Sequence, residues 1–163
     1  MTVNLPDPET SPELFEGLLT RRVIAYGIDV AIMGMLVLIV SVVGLVLGFL
    51  TFGLAWAALV LVIPAVIVGY YATTLGSHRR ATIGMQAMDI VLTPARGVVL
   101  DGWLAFLHAL LFWVSIWISW PVSLAFALFT PRRQMLHDLV VGTLMLRRSP
   151  MERHWAGYAR RAV

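Results

Sequence analysis

The chain contains no cysteine, which excludes disulfides, thiolate metal ligands and a cysteine nucleophile. It also lacks lysine, so all 12 of its basic residues are arginine. Charge of either sign is scarce, at 13% of residues against 60% hydrophobic. A soluble domain carries about 25% charged and about 45–50% apolar residues, so an ordinary water-soluble globule is excluded and an integral membrane protein is indicated. From Val30 to Ser77 no side chain other than tyrosine is ionisable. Nucleophile elbow, phosphate loop, metalloprotease helix and dinucleotide fingerprint are all missing, so neither an enzyme nor a cofactor is expected. The four histidines lack short His/Asp/Glu spacing, and no metal site is expected from them. Net charge is +3, but the arginines stand in pairs beside apolar runs and not among aromatics. That pattern fits membrane topology and gives no sign of a nucleic-acid partner.

Residues 1–20 form an acidic, proline-containing tail with Asp7, Glu9, Glu13 and Glu16. It shows no positive start, apolar stretch and small-residue cleavage site, so the first apolar helix is expected to be retained as a span. Residues 21–148 form the membrane domain. A first span over Val23–Leu47 and a second over Leu54–Thr74 each fit the length of about 20 residues that crosses hydrocarbon. Gly48 and Gly53 supply a tight turn between them. Pro64 is expected to kink the second helix. Gly44/Gly48 and Ala65/Gly69 are spaced for close helix contact.

Met88–Leu92 and Val98–Leu100 read as short strands around the turn residues Thr93–Gly97. Thr143–Leu146 is a candidate third strand beside that hairpin. The third apolar run, Gly102–Pro131, spreads four tryptophans along its length and contains Trp120-Pro121. Indoles favour the headgroup level, so part of this run is expected to lie off the membrane normal. The fold class is therefore all-α integral membrane protein: two transmembrane helices, a broken or re-entrant third, and a small β-hairpin-like cytoplasmic cap. The tail 149–163 is basic and aromatic, suited to anionic lipid at the bilayer surface.

Three full crossings would separate Arg21/Arg22 and Arg79/Arg80 from Arg132/Arg133 and Arg147/Arg148. Arginine-rich loops favour the cytoplasm. An in-and-out third element with both chain ends cytoplasmic reconciles all four pairs.

Three motifs line up around the apolar runs. They are Arg22-x-x-Ala25-x-x-x-Asp29, then Thr82-x-Gly84 followed by Ile90-Val91 and Gly97, then Arg133-Gln134-x-Leu136-His137-Asp138-x-x-x-Gly142-Thr143. Together they resemble the RDD family of bacterial inner-membrane proteins over roughly residues 18–148. The resemblance makes Arg22, Asp29 and Asp138 the family's charge set. It also marks departures: Ile83 where proline is usual, Met85 where a basic residue often stands, Asp89 in place of glycine, and His108 nearest to a usual arginine. A few family members resemble sodium/proton antiporters in activity, and others are transport-related or accessory proteins.

Each site residue carries two readings. Arg22 and Asp29 are seven apart and share one side of a helix. Asp29 either handles a proton or cation or pairs structurally with Arg22 or Arg133. Arg22 either follows the charge rule for topology or bridges a carboxylate. Asp138 is expected to reach Arg22 or cap a helix, with His137 facing the interface. His108 is either a hydrogen-bonded core residue or a proton relay. The expected function is cation/proton transport by a homo-oligomer, with Asp29 exchangeable, Arg22 its gate and Asp138 an anchor. The alternative is a non-catalytic accessory subunit of a larger membrane complex, in which these charges form a clamp.

Overall fold

The structure, a computed structural model, describes residues 6–94 and 102–153. After a 3-10 turn at Pro12–Leu14, helix α1 runs over Leu18–Leu50 and helix α2 over Leu54–Leu75. Both are long and apolar enough to cross a membrane. At 1.5 Å per residue α1 is roughly 50 Å long, well beyond the ~30 Å hydrocarbon core. That excess leaves room for its first turns, which begin at Leu18 and so before Val23, to pack beside the cap. Leu14, Phe15 and Leu18 are buried there, against the cap. Further along, Leu38 and Val60 are 61% and 74% exposed, as lipid-facing side chains must be.

The turn between the helices places Phe52 and Gly53 at positive φ. A Cβ at Gly44 would stand 2.6 Å from the Leu59 side chain, and one at Gly48 only 1.7 Å from Trp56 Nε1. The absence of side chains at these two positions lets α1 and α2 approach closely. The second small-residue pair does not act this way, since a Cβ at Gly69 would meet nothing within 4 Å.

Helix α3 (Ile83–Ala87) and strand β1 (Ile90–Pro94) follow α2. Helix α4 spans Gly102–Phe129, and its halves Gly102–Ser115 and Trp117–Phe129 are bent by 88°. Pro121 lacks an N–H and its ring clashes with the carbonyl four residues earlier, at Trp117. The distortion therefore falls on the N-terminal side of Trp120-Pro121, with Ser119 at φ −163°, ψ 79°. Helix α5 (Leu136–Val141) and strand β2 (Thr143–Arg147) complete the cap.

β1 and β2 pair antiparallel, with Ile90 opposite Arg147 and Pro94 opposite Thr143. The expected strand at Thr143–Leu146 is thus present, and it is the partner of β1. The proposed strand at Val98–Leu100 lies outside the described residues. Gly76, at the end of α2, lies against Gly102, at the start of α4: a Cβ there would come 3.1 Å from Gly102 Cα. The other end of α4 leads through α5 to β2, which joins β1. Both ends of α4 therefore lie on the cap side, and its two halves form the broken third element. Ile90, Leu92 and Leu144 form the fully buried centre of the cap.

Asp89 sits between α3 and β1 at φ +59°, a backbone state that suits glycine. Its carboxylate offsets the strain by accepting from Ser149 N–H (3.0 Å) and Ser149 Oγ (2.6 Å) and pairing with Arg147 at 3.4 Å. Burial opposes its ionisation, but the Ser149 bonds and the Arg147 charge outweigh this and lower its pKa.

Two predictions follow from these contacts. Gly48→Ala should lower stability in detergent by about 1–3 kcal/mol, because Trp56 or the helix must move; an unchanged thermal midpoint would show that Trp56 swings aside freely. For Asp89, the folded pKa lies below the unfolded value of about 4, so its stabilisation is complete above that pH and is lost as pH falls through the folded value. Asp89→Asn should therefore flatten the acid limb of stability measured against pH, and leave it no steeper than wild type.

Candidate functional site

The two carboxylates of the charge set serve different junctions. Asp29 lies on α1, buried, two turns beyond Arg22. Its Oδ1 accepts from the Tyr70 hydroxyl of α2 at 2.6 Å and from the Gly84 N–H of α3 at 2.8 Å. Its Oδ2 accepts from the Thr82 hydroxyl at 2.6 Å. Thr82 is the N-cap of α3, and its own Oγ1 accepts from Met85 N–H at 3.1 Å. Gly84 is needed at this junction: a Cβ would stand 2.1 Å from the Ala25 carbonyl oxygen and 2.9 Å from Asp29 Cγ. Asp29 thus ties α1 to α2 and α3 through neutral donors. Among the described residues no cationic side chain pairs with it, and the expected Arg22 or Arg133 partner is replaced by Tyr70, Thr82 and Gly84.

Arg22 turns the other way. Its Nη2 donates to Asp138 Oδ2 in a buried ion pair, Nη1 donates to the Arg133 carbonyl at 2.6 Å, and Nε donates to Met145 sulfur at 2.9 Å. One guanidinium thereby holds α5, the loop before it and β2 against α1. Arg133 contributes its backbone here; its side chain lies outside this cluster, donating to Leu128 O at 3.5 Å. Asp138 both meets Arg22 and accepts from Met135 N–H at 3.0 Å, capping α5. Burial alone would raise the Asp138 pKa, but the Arg22 charge outweighs it and holds the carboxyl down at about 2.

Both histidines converge on the same carboxylate. His137 Nε2 is 3.4 Å from Asp138 Oδ1 and His108 Nε2 is 3.9 Å from it. Their rings meet edge to face at 5.0 Å. His108 Nδ1 lies 3.1 Å from the Thr143 hydroxyl, as suits a hydrogen-bonded core histidine. His137 is buried and does not face the interface. Burial pushes its imidazole down to about 3, although Asp138 pulls the other way.

Between these groups lies a cavity of about 150 Å³, room for several waters. Arg22, Asp29, Tyr71, His108 and His137 reach it, and apolar side chains such as Phe112 form much of the rest of its wall. The Tyr71 hydroxyl and Asp138 Oδ1 are buried without a hydrogen-bond partner. Tyr70, Tyr71, Thr82, Ser115 and Thr143 were not singled out from the sequence. Hydroxyls on apolar helices are too common to stand out, and only Thr82 and Thr143 lay within recognisable motifs.

Two long apolar helices, a broken third and a charged junction under a two-stranded cap define a helical membrane protein. Among protein families, the RDD family matches over residues 17–142, and the chain belongs to it. Neither the curated proteins nor the solved structures include a match.

Removing one half of the buried Arg22–Asp138 pair leaves an uncompensated charge. Arg22→Met should cost about 3–5 kcal/mol of stability, and pairing it with Asp138→Leu should recover much of that loss. Denaturation of the single and double variants in detergent checks this; a double variant as unstable as the sum of the singles would argue against a direct pair.

Proposed function

We propose that the protein binds a cation in the cavity beneath the cap and exchanges it for protons across the bacterial inner membrane. The observation that carries this reading is charge. Among the described residues the buried carboxyl groups are Asp29 and Asp138, and the one buried guanidinium, Arg22, lies against Asp138, so acidic side chains outnumber the cation beside the cavity. An unbalanced charge in an apolar, membrane-embedded site is costly unless a proton or cation joins it. The arrangement of donors supports a division of labour. Asp29, held by three neutral donors, is the anchor, whereas Asp138 keeps one oxygen unengaged and is the exchangeable carboxylate. The sequence-based expectation had these roles the other way round.

The arginine pairs support a cytoplasmic N-terminus, because Arg21, Arg79 and Arg148 all bond within the cap region. Lipid covers the exposed faces of α1 and α2, anionic headgroups meet the arginines, and homo-oligomerisation completes a pathway that a few membrane segments cannot enclose alone. A second reading, an accessory subunit of a larger membrane complex, is favoured by the three bonds through which Arg22 clamps the cap.

Ion-driven proton flux into proteoliposomes separates the two. The wild-type protein should acidify or alkalinise the lumen when a cation gradient is imposed, and His137→Gln should reduce that rate at least about tenfold. Absence of flux, or flux indifferent to the substitution, would falsify the transport reading. Stoichiometric partner proteins retained through mild detergent extraction would favour the accessory one.

A further inference from the structure

The three groups around Asp138 Oδ1 have a property that neither a clamp nor a simple carboxylate exchange requires. His108, His137 and Asp138 each offer one ligand atom, and all three atoms lie within 4.8 Å of one another. The bonds on the far side of the imidazoles set what those atoms are. Ser115 has one hydroxyl hydrogen, and it is given to the Phe112 carbonyl at 2.9 Å. Its 3.4 Å contact with His137 Nδ1 must then have the ring N–H as donor. In the neutral ring that tautomer leaves Nε2 unprotonated, with its lone pair facing Asp138 Oδ1 at 3.4 Å. Two buried acceptors face each other with nothing between them, and Oδ1 has no hydrogen-bond donor. His108 is placed similarly: Nδ1 lies 3.1 Å from the Thr143 hydroxyl and Nε2 faces the same Asp138 oxygen at 3.9 Å, so the tautomer with its proton on Nδ1 turns a second lone pair to that oxygen.

We propose that His108 Nε2, His137 Nε2 and Asp138 Oδ1 form a binding site for a divalent transition-metal ion of the zinc type, open to the cavity. The spacing fits. With bonds of about 2.0–2.1 Å, a tetrahedral ion separates its ligands by roughly 3.3 Å; the His137–Asp138 edge of 3.4 Å is in place, the His108–Asp138 edge of 3.9 Å must shorten, and the third edge, within 4.8 Å, closes as the His108 ring moves in. Two imidazole nitrogens and one carboxylate oxygen favour zinc, cobalt or nickel over sodium, magnesium or calcium, which prefer all-oxygen shells. Three protein ligands leave a fourth position, and the histidines line the cavity, so water fills it from there. Ser115 and Thr143 hold the rings in the ligating orientation, as outer partners of metal-bound histidines do. Arg22 occupies only Oδ2 and leaves Oδ1 to the ion.

This inference names the class of cation for the cavity, and as regards cargo it rests on the transport reading above. Binding and flux are separate measurements, so the two ideas fail separately. Full-length protein in detergent, stripped by a chelator, would be titrated with Co²⁺ and Zn²⁺. Expected are one ion per chain, the intense absorption of four-coordinate cobalt, and displacement by zinc but not by excess sodium or magnesium. His108→Gln and His137→Gln should each weaken binding at least about a hundredfold, and the milder Ser115→Ala about tenfold, while His78→Gln at an exposed position should change nothing. Weak cobalt absorption of the octahedral kind, loss of binding through His78, or affinity indifferent to His108 and His137 would overturn the site. If a histidine variant fails to fold, the wild-type cobalt spectrum and Ser115→Ala still decide. Tight stoichiometric binding without any flux would leave the metal site standing and remove the transport reading alone.

Discussion

Arg22 is a guanidinium that has left water, and much of the cap's architecture follows from what it must touch. An isolated buried cation is untenable, so the chain supplies a carboxylate, a carbonyl and a thioether around it. Those three partners belong to α5, the loop before it and β2, which also hold one another through Gln134 Nε2 to Thr143 O and Met135 N–H to Asp138. The ion pair is therefore a positional constraint more than a source of stability, because desolvating both charges consumes most of what their attraction returns. It fixes where α5 starts, which in turn brings His137 beside Asp138 and sets β2 against β1.

Asp29 performs the corresponding task on the other side of the cavity with no counter-charge at all. Three dipolar donors converge on it from two helices, and a glycine is required for one of them to come close enough. The two carboxylates of the family set are thus unequal. One is surrounded by fixed neutral donors. The other has a cation on one oxygen and two imidazoles near the second, and the cavity lies between them. That asymmetry, and not the presence of charge as such, is what the transport proposal rests on.

The membrane helices were legible in composition alone, since a long stretch without charge has few other solutions. The break in α4 was legible from Trp120-Pro121 and from the spread of tryptophans along the run. Arg22 meeting Asp138 was open to sequence reasoning through motif order. The partners of Asp29 were not, because reasoning about a buried carboxylate looks first for a cation, and here hydroxyls and a backbone amide suffice. The histidine pair was missed for a related reason: His108 and His137 stand far apart in the chain, and only the bend in α4 together with the start of α5 brings them to one oxygen. Asp89 is the reverse case. It looked like a departure from a glycine pattern, and its left-handed backbone shows both why glycine suits that place and how Ser149 and Arg147 make aspartate acceptable there.

The pairing of β1 with β2 also has a consequence in time. Ile90 lies opposite Arg147, so the strand made first leaves the ribosome well before its partner exists. At synthesis rates of about 5–20 residues per second, the interval is roughly 3–11 s. During it β1 presents an unpaired edge, and the cap cannot close. α4 is threaded into the bilayer within the same interval. The nascent protein therefore passes through a stage with α1 and α2 made and the sheet of the cap unpaired, until β2 closes it.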